Sequence, residues 1–215
     1  MTDRKIQSWT IAGLTIAFLG IPAITTAFRP LALVSDQWVV VREIAILALT
    51  AALLWIVVRK EGKPLSSIGL TFDRPLRAVG MGLVYTVLFI LLLLGLLAIY
   101  QALGVRYGEG ASIARALPVT LLTVVRAGIS EEIFYRGYLL ERLAGLSGSK
   151  WVASIVSVAA FAGFHYSQGW PGIVLAGVLG AAMTGLYWRK RALLPLIVAH
   201  FMVDFIPNVL GPLLS

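Results

Sequence analysis

Two adjacent carboxylates and an arginine interrupt an apolar stretch of the chain, in the segment EEIFYR from Glu131 to Arg136. A charge at bilayer depth costs at least ~2.5 kcal/mol on insertion scales, so charges in such a stretch need either partners or a task. Glu132 and Arg136 are four residues apart and share a helical face, so Glu132 can neutralise Arg136. Glu131 points to another side of the helix and is the candidate for chemistry. The alternative is a salt-bridged packing cluster with no catalytic role.

Two histidines occur downstream in apolar stretches, His165 in FAGFHYSQGW and His200 in LIVAHFMVDF. A single histidine among apolar neighbours is more often structural than functional, but two histidines together with a buried carboxylate favour a site. Asp204 follows His200 by four residues and can orient its imidazole or act as a ligand itself. Phe161 precedes His165 by four residues and offers an apolar wall.

These side chains fit two kinds of hydrolytic site. In the first, Glu131 is the general base that activates water, while His165 and His200 stabilise an oxyanion or protonate a leaving amine. In the second, the same three residues and Asp204 hold a catalytic Zn²⁺ that keeps a coordination position open for water. The sequence leaves both open. Either one needs a water-filled cavity, which we expect to open toward the face bordered by the basic loops.

The composition defines the elements that must position these groups. Of the 215 residues, 59% are hydrophobic and 13% are charged, with a mean hydropathy of +0.90, against ~25% charged in a soluble domain. The chain is therefore expected to be one integral membrane domain. Lipid accepts only helices or closed barrels, and no alternation typical of barrel strands occurs, so the predicted fold is an all-α transmembrane bundle. Cysteine is absent, which excludes disulfides, thiolate metal sites and a cysteine nucleophile.

About seven membrane helices (six to eight) are predicted from the apolar runs. The segments are Trp9–Phe28, Trp38–Val58, Ala78–Tyr100, Leu117–Arg142, Trp151–Tyr166, Gly172–Trp188 and Ala192–Leu210. The first is longer than the apolar region of a signal peptide and is expected to be a retained anchor. Small residues at Gly177, Ala181 and Gly185 predict a close helix-packing seam on the sixth.

The basic residues predict the orientation of the chain. With a cytosolic N-terminus, twelve lie in inner loops: Arg4, Lys5, Arg59, Lys60, Lys63, Arg74, Arg77, Arg142, Lys150, Arg189, Lys190 and Arg191. Three lie in outer loops: Arg29, Arg106 and Arg115. This is a strong positive-inside bias, and it explains the net charge of +8 better than nucleic-acid binding does.

Arg126 lies inside the fourth predicted span without a local acidic partner. We expect Asp204, at comparable depth, to pair with it. If Ala111–Arg126 were instead an interfacial helix, the arginine would reach the lipid headgroups.

In its motifs, the chain resembles the CAAX protease and bacteriocin-processing family of intramembrane endopeptidases, also called the Abi family. The family's EExxxR motif matches Glu131, Glu132 and Arg136, its FxxxH motif matches Phe161 and His165, and its histidine followed four residues later by Asn or Asp matches His200 and Asp204. The resemblance runs from about Leu117 to Leu210, in the family's order and approximate spacing.

This resemblance implies an intramembrane peptidase in which the first glutamate activates water, the two histidines assist, and a membrane-associated peptide or protein is the substrate. Both metal-dependent and glutamate mechanisms are proposed for the family. Asp204 stands where the prenyl-processing branch carries Asn, and an ionised aspartate cannot donate to an oxyanion. We expect residues 117–210 to form the catalytic core and residues 1–116 to have no specific match. The expected location is the plasma membrane of a bacterium or archaeon.

Two alternatives of other classes stay open at this point. A membrane immunity factor or scaffold could keep the same fold without turnover. A bis-histidine haem protein could use His165 and His200 as axial ligands, although this leaves Glu131 unexplained. Other hydrolase schemes fit poorly, because the sequence has no HExxH, no Gly-x-Ser-x-Gly around a nucleophile, and no second intramembrane aspartate for a dyad.

Overall fold

The computed structural model describes residues 3–107 and 115–214. Over these residues the chain is helical and contains no strand, which confirms the all-α prediction. The predicted outer loop Gln101–Ala116 lies partly outside the described residues. The helices are α1 (Asp3–Ala32), α2 (Asp36–Trp55), α3 (Pro75–Ala102), α4 (Leu117–Glu131), α5 (Leu140–Ser147), α6 (Lys150–Phe164), α7 (Gly169–Lys190), α8 (Leu194–Phe205) and α9 (Gly211–Leu214).

Five helical runs among the described residues are long and apolar enough to cross a membrane, so the protein is an integral membrane protein. They are Lys5–Ala32, Asp36–Lys60, Pro75–Ala102, Lys150–Lys190 and Leu194–Leu213. The count of seven spans is not confirmed. The fourth predicted segment is helical but falls outside this set, and it carries several charged residues. The fifth and sixth segments form a single apolar run.

The run Lys150–Lys190 is a helical hairpin rather than one straight rod. A 3₁₀ turn at His165–Gln168 separates α6 from α7, and Gly169 adopts a φ of 73°, which favours glycine. The Trp188 indole N–H donates to the hydroxyl of Ser154 across 2.9 Å, so the end of α7 lies beside the start of α6. The two helices are therefore antiparallel, and the turn carries His165 at one end of the bundle.

One end of the bundle gathers the loops that follow α2, α5 and α7. The Leu193 amide donates to the carbonyl of Gly69 across 2.8 Å, and Arg142 donates to the hydroxyl of Ser67 across 3.0 Å. We call this the basic end, because the loops Arg59–Arg77 and Arg189–Leu193 lie there with Lys150.

The opposite end gathers the end of α1 and the starts of α2 and α4. Arg115 forms an ion pair of 2.8 Å with Asp36, and the Ala116 amide donates to the same carboxylate across 3.1 Å. The Tyr100 hydroxyl at the end of α3 donates to the carbonyl of Pro171, at the start of α7, across 2.8 Å. We call this the mouth end.

Close contact between α4 and α8 brings together helices that are far apart in sequence. A Cβ on Gly128 would lie 3.1 Å from the backbone nitrogen of Phe201 and 3.2 Å from the carbonyl oxygen of Ile197, so a larger residue would push the two helices apart by a few tenths of an ångström. Thr50 on α2 donates to Ser130 on α4 across 2.9 Å, which holds α2 on another side of α4. Both contacts lie within one turn of the two adjacent glutamates.

The predicted seam of small residues on α7 is wrong. Ala181 and Gly185 are exposed, and a Cβ on Gly185 would have nothing within 4 Å. The close approach on this helix is at Gly180, where a Cβ would lie 2.9 Å from the ring of Phe161 and 3.1 Å from Nη2 of Arg136. Because Gly180 has no Cβ, the ring of Phe161 and the guanidinium of Arg136 can lie against this helix.

Candidate active site

The two adjacent glutamates lie where α4 changes into a π-helical segment, Glu132–Leu139. Such segments often occur at functional sites and shift side chains from their regular α-helical positions. The Ser157 hydroxyl of α6 donates to the Tyr135 carbonyl oxygen across 2.7 Å, which gives this wider helix a hydrogen-bond partner from a neighbouring helix. Glu131 and Glu132 are both buried, so their charges depend on protein partners.

Glu132 connects an arginine to a histidine from another helix. One of its oxygens, Oε1, accepts from Nη1 of Arg136 across 2.9 Å and lies 2.8 Å from Nδ1 of His200. The pairing with Arg136 is the one that the four-residue spacing predicts. Because an ionised carboxylate can only accept, the proton of this hydrogen bond lies on Nδ1, which leaves Nε2 of His200 facing elsewhere. Glu132, rather than Asp204, therefore orients the imidazole.

Glu131 is held by an arginine from its own helix. Nη1 of Arg126 donates to Oε1 of Glu131 across 2.9 Å, and the same guanidinium forms an ion pair with Glu43 of α2. Glu43 also accepts from Nε of Arg42 across 2.8 Å. The expected pairing of Arg126 with Asp204 is therefore wrong, as is its placement among lipid headgroups, since Arg126 is buried inside the bundle.

Nε2 of His200 faces two carboxylates. It lies 3.9 Å from Oε2 of Glu131 and 3.7 Å from Oδ2 of Asp204. Both distances are too long for direct hydrogen bonds. Glu131 and His200 are 69 positions apart in the sequence, yet their side chains meet here. One water molecule could bridge Oε2 of Glu131 and Nε2 of His200.

Phe161 packs against the rings of both His165 and His200. Nδ1 of His165 lies 2.8 Å from the Phe161 carbonyl oxygen, so this nitrogen carries the proton and Nε2 is free to accept in the neutral ring. The ring of Phe161 is 4.8 Å from the His165 ring and 6.1 Å from the His200 ring. The Arg136 guanidinium lies 4.0 Å from the centroid of the Phe161 ring, a cation–π contact.

A cavity of about 880 Å³ joins these groups. Its lining includes the five side chains Arg126, Glu131, His165, His200 and Asp204, and it extends to the mouth end past residues of α1 and the start of α4. None of the lysines or arginines of the basic end lines it. The expected opening toward the basic loops is therefore wrong, because the ends of α1, α6 and α8 that border the cavity lie at the opposite end of the bundle.

The candidate zinc ligands do not form a metal-binding group. Within the ranges 3–107 and 115–214, no three His, Asp or Glu side chains are grouped as a metal ion requires. The residues present therefore do not fit the Zn²⁺ alternative.

Sequence reasoning missed Glu43, although a signal for it was present. The pair Arg42 and Glu43 interrupts the second apolar segment just as Arg126 interrupts the fourth. Charges in two apolar helices can be matched to each other, since each needs an opposite charge at its own depth. Glu43 has no exposed surface, so its charge needs a positively charged partner inside the bundle more than any other group of α2 does.

Residues 113–206 match the family model described as Type II CAAX prenyl endopeptidase Rce1-like. The match contains all three motifs and confirms the resemblance to CAAX-type proteases over this part of the chain. It supports a CAAX-type intramembrane protease in general terms. No curated protein and no solved structure matches the chain.

Proposed function

We propose that this protein is an intramembrane endopeptidase that hydrolyses a peptide bond with water activated by Glu131. One observation carries the proposal: Oε2 of Glu131 lies 3.9 Å from Nε2 of His200, at a cavity that reaches the bundle surface. A buried carboxylate, an oriented imidazole and access for water are the three parts that general-base hydrolysis requires. The family match of residues 113–206 supports the same reaction class.

Glu131 takes a proton from water, and the water oxygen forms a bond to the carbonyl carbon of the substrate. The carbonyl oxygen becomes an oxyanion, which His200 stabilises by donating from Nε2 when that nitrogen is protonated. The C–N bond then breaks as Glu131 passes the proton to the leaving nitrogen. His165, protonated on Nδ1, accepts a hydrogen bond from the attacking water through Nε2.

Arg126 and Glu132 are positioning residues in this scheme. Arg126 directs one oxygen of Glu131 by the 2.9 Å hydrogen bond, so that the second oxygen faces His200. Glu132 fixes the His200 ring through Nδ1. Small displacements of reacting groups cost large factors in rate, so each of these contacts is expected to matter to catalysis.

The proposal is tested by cleavage of membrane-anchored peptides in proteoliposomes, with the wild type, Glu131→Gln and Asp73→Asn. Asp73 is an exposed carboxylate at the basic end and serves as the matched control. We expect Glu131→Gln to abolish cleavage without loss of folding, and Asp73→Asn to cleave as the wild type does. A chelator should leave the rate unchanged, because Glu131 rather than a metal activates the water.

The non-catalytic scaffold makes the opposite prediction. A cellular phenotype retained by folded Glu131→Gln and His165→Ala would support the scaffold and overturn the peptidase. A Soret band in the purified protein would support the haem alternative instead.

A further inference from the structure

We propose that the active site receives its substrate from the non-cytoplasmic side of the membrane. Its substrate is then an exported or membrane-anchored polypeptide whose cleaved segment lies at that surface. That the cavity receives a substrate rests on the proposed function. The side on which the cavity opens is a property of the fold alone.

Charge distribution fixes which end of the bundle faces the cytosol. The segments that the structure gathers at the basic end hold most of the lysines and arginines, including Arg59, Lys60, Lys63, Arg74 and Arg77 between the end of the second span and the first turn of α3. Short loops rich in these residues remain in the cytosol during insertion, whereas acidic residues contribute little to the choice. Lys60 lies 4.8 Å and 4.7 Å from the rings of Trp9 and Trp55, a cluster typical of a membrane interface.

The cations near the cavity do not balance this bias. Arg29, Arg106 and Arg115 are the basic residues assigned to the outer loops, and they are far fewer than the lysines and arginines at the basic end. The predicted division of twelve inner against three outer basic residues therefore orients the basic end toward the cytosol and the mouth end away from it.

Among the described residues, those that line the cavity beyond the candidate site lie toward the mouth end. Its rim is formed by Thr26 and Arg29 near the end of α1, by Leu117 at the start of α4 and by Gln168 in the turn after α6. From Leu117 to Glu131 the distance along α4 is roughly 21 Å at 1.5 Å per residue. A substrate that enters as an extended segment would span this depth with about six residues.

The chain has no cysteine, so single introduced cysteines report the orientation directly. Thr26→Cys lies at the cavity rim and Ser66→Cys in the loop at the basic end, and both native side chains are small, hydroxylated and exposed. Intact cells expressing each variant are treated with a membrane-impermeant maleimide before and after permeabilisation. We expect Thr26→Cys to react in intact cells and Ser66→Cys to react only after permeabilisation.

The reverse pattern would overturn the proposal, as would reaction of both variants in intact cells, which would indicate mixed orientation. The labelling does not depend on catalysis, so it separates the two proposals. If the rim reacts from outside but Glu131→Gln cleaves as well as the wild type, the access side stands and the peptidase mechanism fails. If cleavage requires Glu131 but the rim is protected until permeabilisation, the mechanism stands and the access side is wrong.

Discussion

The Arg126 guanidinium lies between Glu131 and Glu43, donating 2.9 Å to the first and forming an ion pair with the second. This contact joins the segment with the family motifs to α2, which lies outside the matched residues 113–206. Breaking one member of a buried ion pair costs about 3–5 kcal/mol, because the remaining charge is left uncompensated. The second helix is thus part of the support for Glu131, the carboxylate that we propose as the general base.

We expect Arg126→Gln to lower kcat by about 100-fold or more, since Glu131 loses the contact that directs it. The melting temperature in detergent should fall as well. Arg126→Lys keeps a positive charge between Glu131 and Glu43, so it should recover much of the melting temperature, but it lacks the forked guanidinium that directs Glu131 and should not recover kcat. Recovery of kcat together with stability would mean that the charge of Arg126 is enough and that its guanidinium does not position Glu131.

Glu132 is expected to serve two partners at once. Glu132→Ala leaves the guanidinium of Arg136 uncompensated, at a cost of about 3–5 kcal/mol, and releases Nδ1 of His200. Glu132→Gln keeps an acceptor for Nδ1, so its kcat should exceed that of Glu132→Ala when both are measured on folded protein. Equal kcat values for the two variants would show that the hydrogen bond to His200 does not position the ring.

Asp204 is expected to contribute little to stability. Its side chain is 35% exposed and lies 3.7 Å from Nε2 of His200, beyond hydrogen-bond distance. Asp204→Asn should change stability by about 0.5 kcal/mol or less and should retain cleavage, since an amide can donate to an oxyanion whatever the pH. Loss of cleavage in Asp204→Asn, with the melting temperature unchanged, would show that the carboxylate itself is required.

Gly180 offers a matched pair with Gly185 on the same helix. Gly180→Ala places a methyl 2.9 Å from the ring of Phe161, and such overpacking costs about 1–3 kcal/mol. Gly185→Ala meets open space and should be neutral or stabilising by up to about 1 kcal/mol. Melting temperatures in detergent check both, and similar values for the two variants would contradict the close approach at Gly180.

Local spacing predicted the parts of the site that lie on one helix. The pairing of Glu132 with Arg136 and the proximity of Phe161 to His165 both follow from four-residue separations. The all-α fold class also followed from composition, because only helices and closed barrels satisfy the backbone hydrogen bonds in lipid. These features depend on the sequence near each residue and on nothing else.

Contacts between helices could not be read in the same way. Asp204 was the expected partner of Arg126 because it lay at a similar depth, but depth alone does not say which helices are neighbours. The packing of α4 against both α2 and α8 gives Arg126 its partner Glu43 and gives His200 its partner Glu132. The close approach at Gly128 and the π-helical segment depend on this packing, and so does the end at which the cavity opens.

Glu61 provides a test of whether a buried ion pair by itself indicates catalysis in this protein. Its carboxylate accepts 2.9 Å and 2.6 Å hydrogen bonds from Arg142 and a 2.7 Å bond from the Tyr138 hydroxyl, all at the basic end and away from the cavity. Glu61→Ala should cost about 3–5 kcal/mol because Arg142 is left buried and unpaired. The kcat of the folded fraction should equal that of the wild type, and Lys63→Ala, an exposed neighbour, should change neither quantity. A fall in kcat without a fall in melting temperature would mean that Glu61 takes part in the reaction and that the site extends beyond the cavity at the mouth end.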